Sequence, residues 1–127
     1  MATDRGKRSL IAIVDDDQSV RNALKMLFES AEFEVEAFAT AEDFLRDGRF
    51  AKPTCLILDV QLPGISGIEL QHQLIVEEDS TPVVFITAHP DRHLRQQAID
   101  AGAIRFFSKP FNGTELLSVV RECQRLT

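Results

Sequence analysis

The chain has 127 residues and a net charge of −6 at pH 7, with 44% hydrophobic residues, which is typical of one globular domain, residues 1–127. The acidic balance argues against direct nucleic-acid binding, since a phosphate backbone attracts clustered Lys and Arg. No apolar run approaches the roughly 20 residues that span a bilayer, so we expect a cytoplasmic protein without a membrane segment.

Five short runs rich in Ile, Val, Leu and Phe alternate with stretches of helical spacing. These runs predict β-strands at residues 10–14, 33–38, 55–58, 83–87 and 104–107. The clearest helical stretch lies between the first two strands, where apolar residues follow the stripe of a helix packed on a sheet: Val20, Ala23, Leu24, Leu27, Phe28 and Ala31. The chain therefore repeats a strand–helix unit five times.

Residues suited to helix ends support the same division. Three pairs join a capping side chain to an acid three residues later: Thr40 with Asp43, Ser66 with Glu69, and Asn112 with Glu115. Asp17 is predicted to cap the first helix, and Gly102 to supply a left-handed turn after the fourth. These signals agree with a (βα)5 pattern.

The alternation of strands and helices also predicts the fold. Such strands pair in parallel through right-handed crossovers, and the helices cover both faces of the sheet. We therefore expect an α/β fold, a three-layer, doubly wound (βα)5 sandwich of the flavodoxin-like type. Its common strand order is 2-1-3-4-5, which places the ligand crevice at the carboxyl ends of strands 1 and 3.

Two cysteines, Cys55 and Cys123, lie far apart in the sequence. Neither has a nearby Cys or His at the spacing of a zinc site, and a disulfide framework is not indicated. We expect free, mostly buried thiols.

Reactive side chains occur where the predicted strands end. Asp15 and Asp16 follow strand 1, Asp59 follows strand 3, Thr87 ends strand 4 and Lys109 follows strand 5. Only the second strand, at the edge of the expected sheet, lacks such a residue. Because the carboxyl ends of parallel strands meet at one edge, these side chains should converge.

The carboxylates of that group predict a metal and a nucleophile. Several carboxylates repel one another beyond what the Lys109 ammonium can neutralise, which favours a divalent cation, Mg²⁺ or alternatively Mn²⁺. The Asp59 oxygen would attack phosphorus and form an acyl phosphate. Lys109 would balance charge on the transferred group, and the Thr87 hydroxyl would donate a hydrogen bond to it.

Four motifs occur in order along the chain, at residues 13–17 (IVDDD), 58–67 (LDVQLPGISG), 85–88 (FITA) and 109–111 (KPF). Together they resemble the bacterial response-regulator receiver domains of two-component systems. Each motif is weak by itself, but the ordered set is highly specific and covers nearly the whole chain. The resemblance implies a phosphorylated switch with slow autodephosphorylation, and not an enzyme.

The resemblance also implies roles for the acidic residues and their neighbour. Asp59 would be phosphorylated, Asp16 would be the direct metal ligand, and Asp15 would act through water. The backbone carbonyl of Gln61 would complete the protein's share of the metal shell.

Further implied features follow the fourth and fifth strands. A cis peptide is expected between Lys109 and Pro110. Phe106 matches the family's aromatic switch position, whose side chain turns inward when Thr87 moves toward the phosphate. By strand period, Phe106 and its neighbour Phe107 would alternate between core and surface.

The implied partners are those of family receivers. Such domains take phosphate from a histidine kinase or a phosphotransfer protein, and they signal through the face of helix 4, strand 5 and helix 5. Phosphorylation could also promote a homodimer through that face.

Finer similarity, through residues 38–45 (FATAEDFL) and His89, points to the nitrogen-fixation type of receiver. That group usually continues into a helix-turn-helix DNA-binding domain, whereas this chain has no predicted output domain; it is a stand-alone receiver or a shortened protein. Gln61 and His89 depart from common patterns at positions that tune acyl-phosphate hydrolysis, which leaves the lifetime of the phosphate open.

Two other function classes are weaker. A phosphatase of the haloacid-dehalogenase type needs two aspartates one residue apart followed by Thr or Val, but here Ser19 follows Asp15 and Asp17. A flavodoxin-like carrier shares the expected architecture, but fold alone does not license function. The Asp-Asp-Asp sequence would repel a cofactor phosphate, and the chain has no Tyr or Trp to stack on a flavin.

Overall fold

The computed structural model describes residues 9–89 and 91–126, in which five strands alternate with five α-helices. The strands are β1 (Leu10–Val14), β2 (Glu34–Phe38), β3 (Cys55–Asp59), β4 (Val83–Thr87) and β5 (Arg105–Ser108). The helices are α1 (Gln18–Ser30), α2 (Ala41–Asp47), α3 (Gly67–Val76), α4 (Arg92–Asp100) and α5 (Gly113–Leu126). A short 3₁₀ helix, Arg49–Ala51, follows α2.

All neighbouring strands pair in parallel, in the order β2-β1-β3-β4-β5. The predicted flavodoxin-like (βα)5 fold and its strand order are therefore confirmed. Every residue of β3 and β4 is buried, whereas the edge strands β2 and β5 include exposed residues. This difference explains why the central strands are continuously apolar in the sequence.

The core lies on both faces of the sheet. Alternate residues of β1 divide between two clusters, with Ile11 and Ile13 in one, Ala12 and Val14 in the other. The first cluster, here the α1/α5 core, includes side chains of α1 and α5; the second includes those of α2, α3 and α4. Each fully buried large apolar side chain contributes roughly 1.5–3 kcal/mol, and the three layers follow from this division.

The predicted helix caps are present. Asp17 accepts hydrogen bonds from the first-turn amides of α1, and Thr40 accepts one from the Asp43 amide. Ser66 and Glu69 form a reciprocal capping box at α3. The Asn112 side chain accepts from the Glu115 amide at 3.0 Å, and Gly102 has the predicted left-handed conformation, with φ of 95°.

Some boundaries differ from the sequence prediction. Phe33 precedes β2, because its amide donates to the Phe28 carbonyl at the end of α1. β3 extends to Asp59, and β5 begins at Arg105 and includes Ser108. The buried stripe of α1 is narrower than predicted, because Ala23 is exposed. In the part of the chain that the structure describes, no helix combines the length and apolarity needed to cross a bilayer.

Candidate functional site

The carboxyl ends of four strands supply the side chains of the site. In the parallel register Val14 pairs with Leu58 and Asp59 pairs with Ile86, so the next residues face the same edge of the sheet. Asp59 ends β3, Thr87 ends β4, and the Lys109 amide donates to the Thr87 carbonyl at 2.8 Å. The ends of β1, β3, β4 and β5 therefore form one rim.

Three carboxylates meet at this rim. Asp15, Asp16 and Asp59 each offer an oxygen within 4.8 Å of the others. Asp15 is fully buried, Asp59 is 5% exposed, and Asp16 is open to solvent. We call these three residues the acidic triad; its two buried members place carboxylates inside the protein, and its exposed member lies at the surface.

Lys109 supplies an ammonium group that pairs with the acidic triad. Its Nζ lies 2.9 Å from Asp15 Oδ2 and 3.1 Å from Asp59 Oδ2. The cis peptide predicted between Lys109 and Pro110 is present. One positive charge thus serves two buried carboxylates, and the triad retains an excess of negative charge.

The pKa directions at the site follow from burial and pairing. Burial raises the pKa of Asp59, and the nearby Asp15 charge raises it further, against the hydrogen bond from the Gln61 amide and the contact with Lys109. Burial acts to lower the pKa of Lys109, but its hydrogen bonds with Asp15 and Asp59 outweigh this effect and raise it. Lys109 therefore stays charged, while Asp59 is held less readily in its ionised form than an exposed aspartate.

Hydrogen bonds hold the backbone of Asp15 and one oxygen of its carboxylate in place. Its amide donates to the Phe38 carbonyl at 3.0 Å, and its Oδ1 accepts from the Asp17 amide at 2.8 Å. Arg21 Nη1 donates to its backbone carbonyl at 2.8 Å. Arg21 brings a second positive charge near the acidic triad from α1. Sequence reasoning missed this residue, whose only signal was a basic side chain one turn after the Asp17 cap.

The loop after β3 is held close to Asp59. The Gln61 amide donates to Asp59 Oδ1 at 3.0 Å, which fixes the orientation of the carboxylate. A Cβ on Gly67 would lie 2.2 Å from the Asp59 carbonyl oxygen, so only glycine permits this approach of α3. On the far side of the loop, Glu42 Oε2 accepts from the Ile65 amide at 3.2 Å.

The two switch residues of the sequence prediction lie at different depths. Thr87 is fully buried, and its Oγ1 accepts from the His89 amide at 3.2 Å. Phe106 is half-buried against the core on the α2–α4 side, and it lines a cavity beside Arg92 of α4. Phe107 packs against the α1/α5 core, so the expectation that one of the two phenylalanines is a surface residue was wrong.

The donor set of the acidic triad fits a divalent cation. All side-chain donors are carboxylate oxygens, which are the ligands that Mg²⁺ prefers. The triad carries three acids against the single ammonium of Lys109. A hard dication at this rim would relieve the remaining repulsion.

Comparison with known protein families gives the site its context. A family model described as the response regulator receiver domain matches residues 11–121, which include the acidic triad, Thr87 and Lys109. The chain belongs to this family. It is a receiver domain of the two-component response regulators, as the sequence motifs predicted.

Individual relatives agree with this assignment. The response regulator protein TodT of Pseudomonas putida is 42% identical over 120 residues, covering 94% of this chain and 53% of TodT. The transcriptional regulatory protein FixJ of Bradyrhizobium diazoefficiens is 33% identical, covering 91% of this chain and 56% of FixJ. This chain thus spans about half the length of these curated relatives.

Solved structures show the same architecture. The structure of the response regulator StyR has a TM-score of 0.86 and 46% identity, covering 94% of this chain and 60% of the StyR chain. The similarity to FixJ supports the predicted relation to the nitrogen-fixation type of receiver, although TodT and StyR have higher identities.

Proposed function

We propose that this receiver domain accepts a phosphoryl group on Asp59 from a phosphohistidine of a histidine kinase or a phosphotransfer protein. The observation that carries the proposal is the geometry of Asp59. Its Oδ1 accepts from the Gln61 amide, and its Oδ2 lies 3.1 Å from Lys109 Nζ, at a rim that Asp16 leaves open to solvent. A carboxylate oriented in this way can act as a nucleophile.

In the transfer, an Asp59 oxygen attacks phosphorus and forms a new O–P bond. The N–P bond of the phosphohistidine breaks, and its electron pair leaves with the imidazole nitrogen. Lys109 stabilises the negative charge on the transferred group, because its pKa is raised and it remains protonated. The product is an acyl phosphate on this chain, so the reaction is stoichiometric.

We propose that the metal is Mg²⁺, with Mn²⁺ as a substitute. Asp16, Asp59 and the Gln61 backbone carbonyl would hold it, and Asp15 would act through water. Bound there, the cation supplies charge neutralisation for the incoming phosphoryl oxygens. Asp15 also keeps Lys109 and the loop after β1 in position, since its Oδ1 accepts from the Asp17 amide and its Oδ2 lies 2.9 Å from Lys109 Nζ.

We propose that Thr87 and Phe106 change conformation in response to phosphorylation. The Thr87 oxygen accepts from the His89 amide, which leaves the hydroxyl proton for donation to a phosphoryl oxygen. Movement of Thr87 would open space at the end of β4 for the half-buried Phe106 ring. We propose that this rearrangement alters the face of α4, β5 and α5, through which the domain signals to a partner, an output domain or a second copy.

The lifetime of the acyl phosphate is assigned to two exposed residues. Gln61 and His89 border the rim, where they can admit or orient the water that attacks phosphorus. Slow hydrolysis by that water is the only turnover proposed. The phosphatase alternative is disfavoured, because the Asp17 carboxylate is engaged as the cap of α1 through the amides of Ser19 and Val20.

The test is intact mass analysis after incubation with acetyl phosphate and Mg²⁺. The native chain should gain one phosphoryl group, and the gain should be lost with a chelator. Asp59→Asn should gain none, whereas Asp100→Asn, an exposed aspartate at the end of α4, should label as the native chain does. Equal labelling of Asp59→Asn, or a label on a histidine, would contradict the proposal. Light scattering with a phosphate mimic tests the homodimer.

A further inference from the structure

Gln71 is a polar residue within the buried stripe of α3. The buried positions of this helix are Gly67, Leu70, Gln71 and Leu74, the spacing of a helix face that packs on a core. Gln71 is only 3% exposed, and among the residues that the structure describes its Oε1 is buried without a hydrogen-bond partner. Such an acceptor costs stability, because it loses its hydration on folding and gains no bond in return. Gln71 therefore breaks the apolar pattern of α3 at a cost, and positions of this kind are expected at functional sites.

A cavity of about 510 Å³, here the Gln71 cavity, adjoins this side chain at the amino end of the sheet. It lies between α3, the loop that follows α3 and the turn after α4, and its volume is typical of a small-molecule site. Two polar side chains on its wall, Asp79 and Thr81, are bonded to each other at 2.7 Å. The apolar part of the wall includes Leu74, Val83 and Ile104. Gln71 thus supplies an unused acceptor beside a mostly apolar cavity.

The Gln71 amide can reach an occupant of this cavity without movement of α3. The last torsion of a glutamine side chain is broad, so rotation about it can turn Oε1 toward the wall. A charged occupant would lose its hydration against the apolar wall, which disfavours ions of either sign. An uncharged apolar body with an N–H donor gains both burial of its surface and a bond to Oε1. A water molecule could take that bond, but the apolar wall offers it few further partners.

We propose that the Gln71 cavity binds a small uncharged molecule that combines an apolar body with an amide-type N–H donor. The donor bonds to Gln71 Oε1, and the apolar body covers the side chains of Leu74, Val83 and Ile104. Binding is reversible and involves no covalent step. The site lies at the opposite end of the sheet from the acidic triad, so the proposed phosphotransfer does not use it.

An occupant of the Gln71 cavity would also contact the end of α4. Ala101 and Gly102, which follow that helix, are part of the wall. Because α4 belongs to the proposed signalling face, an effect of the ligand on signalling rests on the proposed function. Binding itself does not, and Asp59→Asn should bind the ligand as the native chain does. Failure of phosphorylation at Asp59 and failure of binding at Gln71 are therefore distinguishable.

The test is a titration of the ¹⁵N-labelled protein with benzamide and with acetophenone, followed by NMR. The two probes share a phenyl ring and a carbonyl group, but only benzamide has an N–H donor. Benzamide at millimolar concentration should shift the side-chain amide signal of Gln71 and the backbone amide signals of Leu74 and Ile104. Acetophenone should bind about tenfold more weakly, because one hydrogen bond is lost. No shift of these signals, shifts confined to residues around the acidic triad, or equal binding of the two probes would overturn the proposal.

Gln71→Met tests the role of the amide, because it keeps the length of the side chain and removes its polar atoms. Benzamide and acetophenone should then bind equally, and the urea midpoint without ligand should rise, since the unpartnered acceptor is gone. Gln96→Met, at an exposed position of α4, should leave binding and midpoint unchanged. Circular dichroism checks that each variant folds, and the probe comparison on the native chain stands without them. A preference for benzamide that survives in Gln71→Met, or a lower urea midpoint, would contradict the assignment of Gln71 as the free acceptor.

Discussion

The two ends of the sheet differ in how their charged side chains are paired and how far they are exposed to water. At the carboxyl end, the buried Asp15 and Asp59 share one ammonium, from Lys109. At the amino end, Arg49 pairs with Glu77 and lies 3.8 Å from Asp79, and both acids are partly open to water. Water screens the second cluster, whereas the first keeps an excess of buried negative charge. A buried negative charge that is not fully neutralised thus distinguishes the candidate site from the Arg49 ion pairs at the amino end.

The largest effect should come from removal of the cation at each end. Lys109→Gln leaves two buried carboxylates without their ammonium and should lower the free energy of unfolding by about 3 kcal/mol at neutral pH. Arg49→Gln should cost about 1 kcal/mol or less, because its partners are partly hydrated. Urea denaturation without metal measures both.

The pH dependence of Lys109→Gln gives a second check. Loss of Lys109 raises the pKa of Asp59 further above its value in the unfolded chain, so the folded state binds protons more readily. The loss of stability caused by Lys109→Gln should be full above the folded-state pKa of Asp59 and should become smaller as the pH is lowered through that pKa. Equal costs for Lys109→Gln and Arg49→Gln, independent of pH, would remove the distinction between the two ends.

The next effect concerns the backbone at each end. Gly67→Ala places a Cβ 2.2 Å from the Asp59 carbonyl oxygen and 3.0 Å from Val60 Cα, and it should cost about 2 kcal/mol because backbone must shift. Gly102→Ala meets no atom within 4 Å and should cost about 1 kcal/mol through its φ of 95° alone. Thermal unfolding measures both.

Function separates the two glycine variants more sharply. Gly67→Ala should also reduce labelling of Asp59 by acetyl phosphate, because it displaces the loop that holds the Gln61 amide. Gly102→Ala should label normally. If both variants labelled alike, the close approach at Gly67 would serve packing only.

The sequence predicts which residues meet at the rim, but it does not predict the contacts that hold them in place. Parallel register depends on local strand patterns, so the positions of Asp15, Asp59 and Lys109 at one edge could be predicted from where the apolar runs end. The bond from Arg21 to the Asp15 carbonyl could not, because it depends on the rotation of α1 against the loop. Cys55 and Cys123 are free and buried, as predicted, but their place in one core cluster likewise depends on how α5 packs on the sheet.

Boundaries were less predictable than topology. The apolar pattern predicts that Phe33 belongs to the second strand, but its amide donates to the Phe28 carbonyl after α1 and its ring packs in the α1/α5 core. Phe106 and Phe107 were expected to alternate between core and surface. Helices cover both faces of this edge strand, so both rings are partly buried. In each case tertiary packing decided between patterns that are locally alike.

Arg21 offers a smaller and more specific test of the carboxyl end. Arg21→Gln removes the donor to the Asp15 carbonyl and should weaken Mg²⁺ binding about tenfold, as expected for loss of a group that orients metal ligands. The charge effect alone has the opposite sign, because loss of a cation near the acidic triad favours metal binding. Isothermal titration calorimetry therefore decides which effect is larger.

Arg21→Lys serves as the matched control. It keeps the charge with a shorter, single donor group, so it should restore part of the affinity only if positioning matters. Arg46→Gln, on the exposed face of α2, should leave Mg²⁺ binding unchanged. Tighter binding by Arg21→Gln would show that Arg21 acts through charge and not through Asp15.

The smallest expected effect is on stability, where the same substitution at two aspartates should change the free energy of unfolding in opposite directions. Asp59→Asn removes a buried carboxylate whose pKa is raised, mainly by burial, and should stabilise the metal-free protein at neutral pH. The folded state holds the Asp59 proton more tightly than the unfolded chain does. The cost of burying the ionised Asp59 carboxylate is therefore present above its folded-state pKa and disappears as the pH falls below its unfolded-state pKa. The stabilisation by Asp59→Asn should therefore shrink in acid.

Asp79→Asn is the same substitution at the amino end, with the opposite expectation. Asp79 Oδ1 accepts from the Thr81 amide at 3.0 Å and from its hydroxyl at 2.7 Å, so its loss should destabilise by about 1 kcal/mol. Urea denaturation of both variants across pH, without metal, compares them directly. The expected results would show that the Asp79 carboxylate stabilises the fold, whereas Asp59 is retained at a cost to stability. If Asp59→Asn also destabilised the protein, Asp59 would be a structural ion-pair partner of Lys109, and its case as a nucleophile would lose this thermodynamic support.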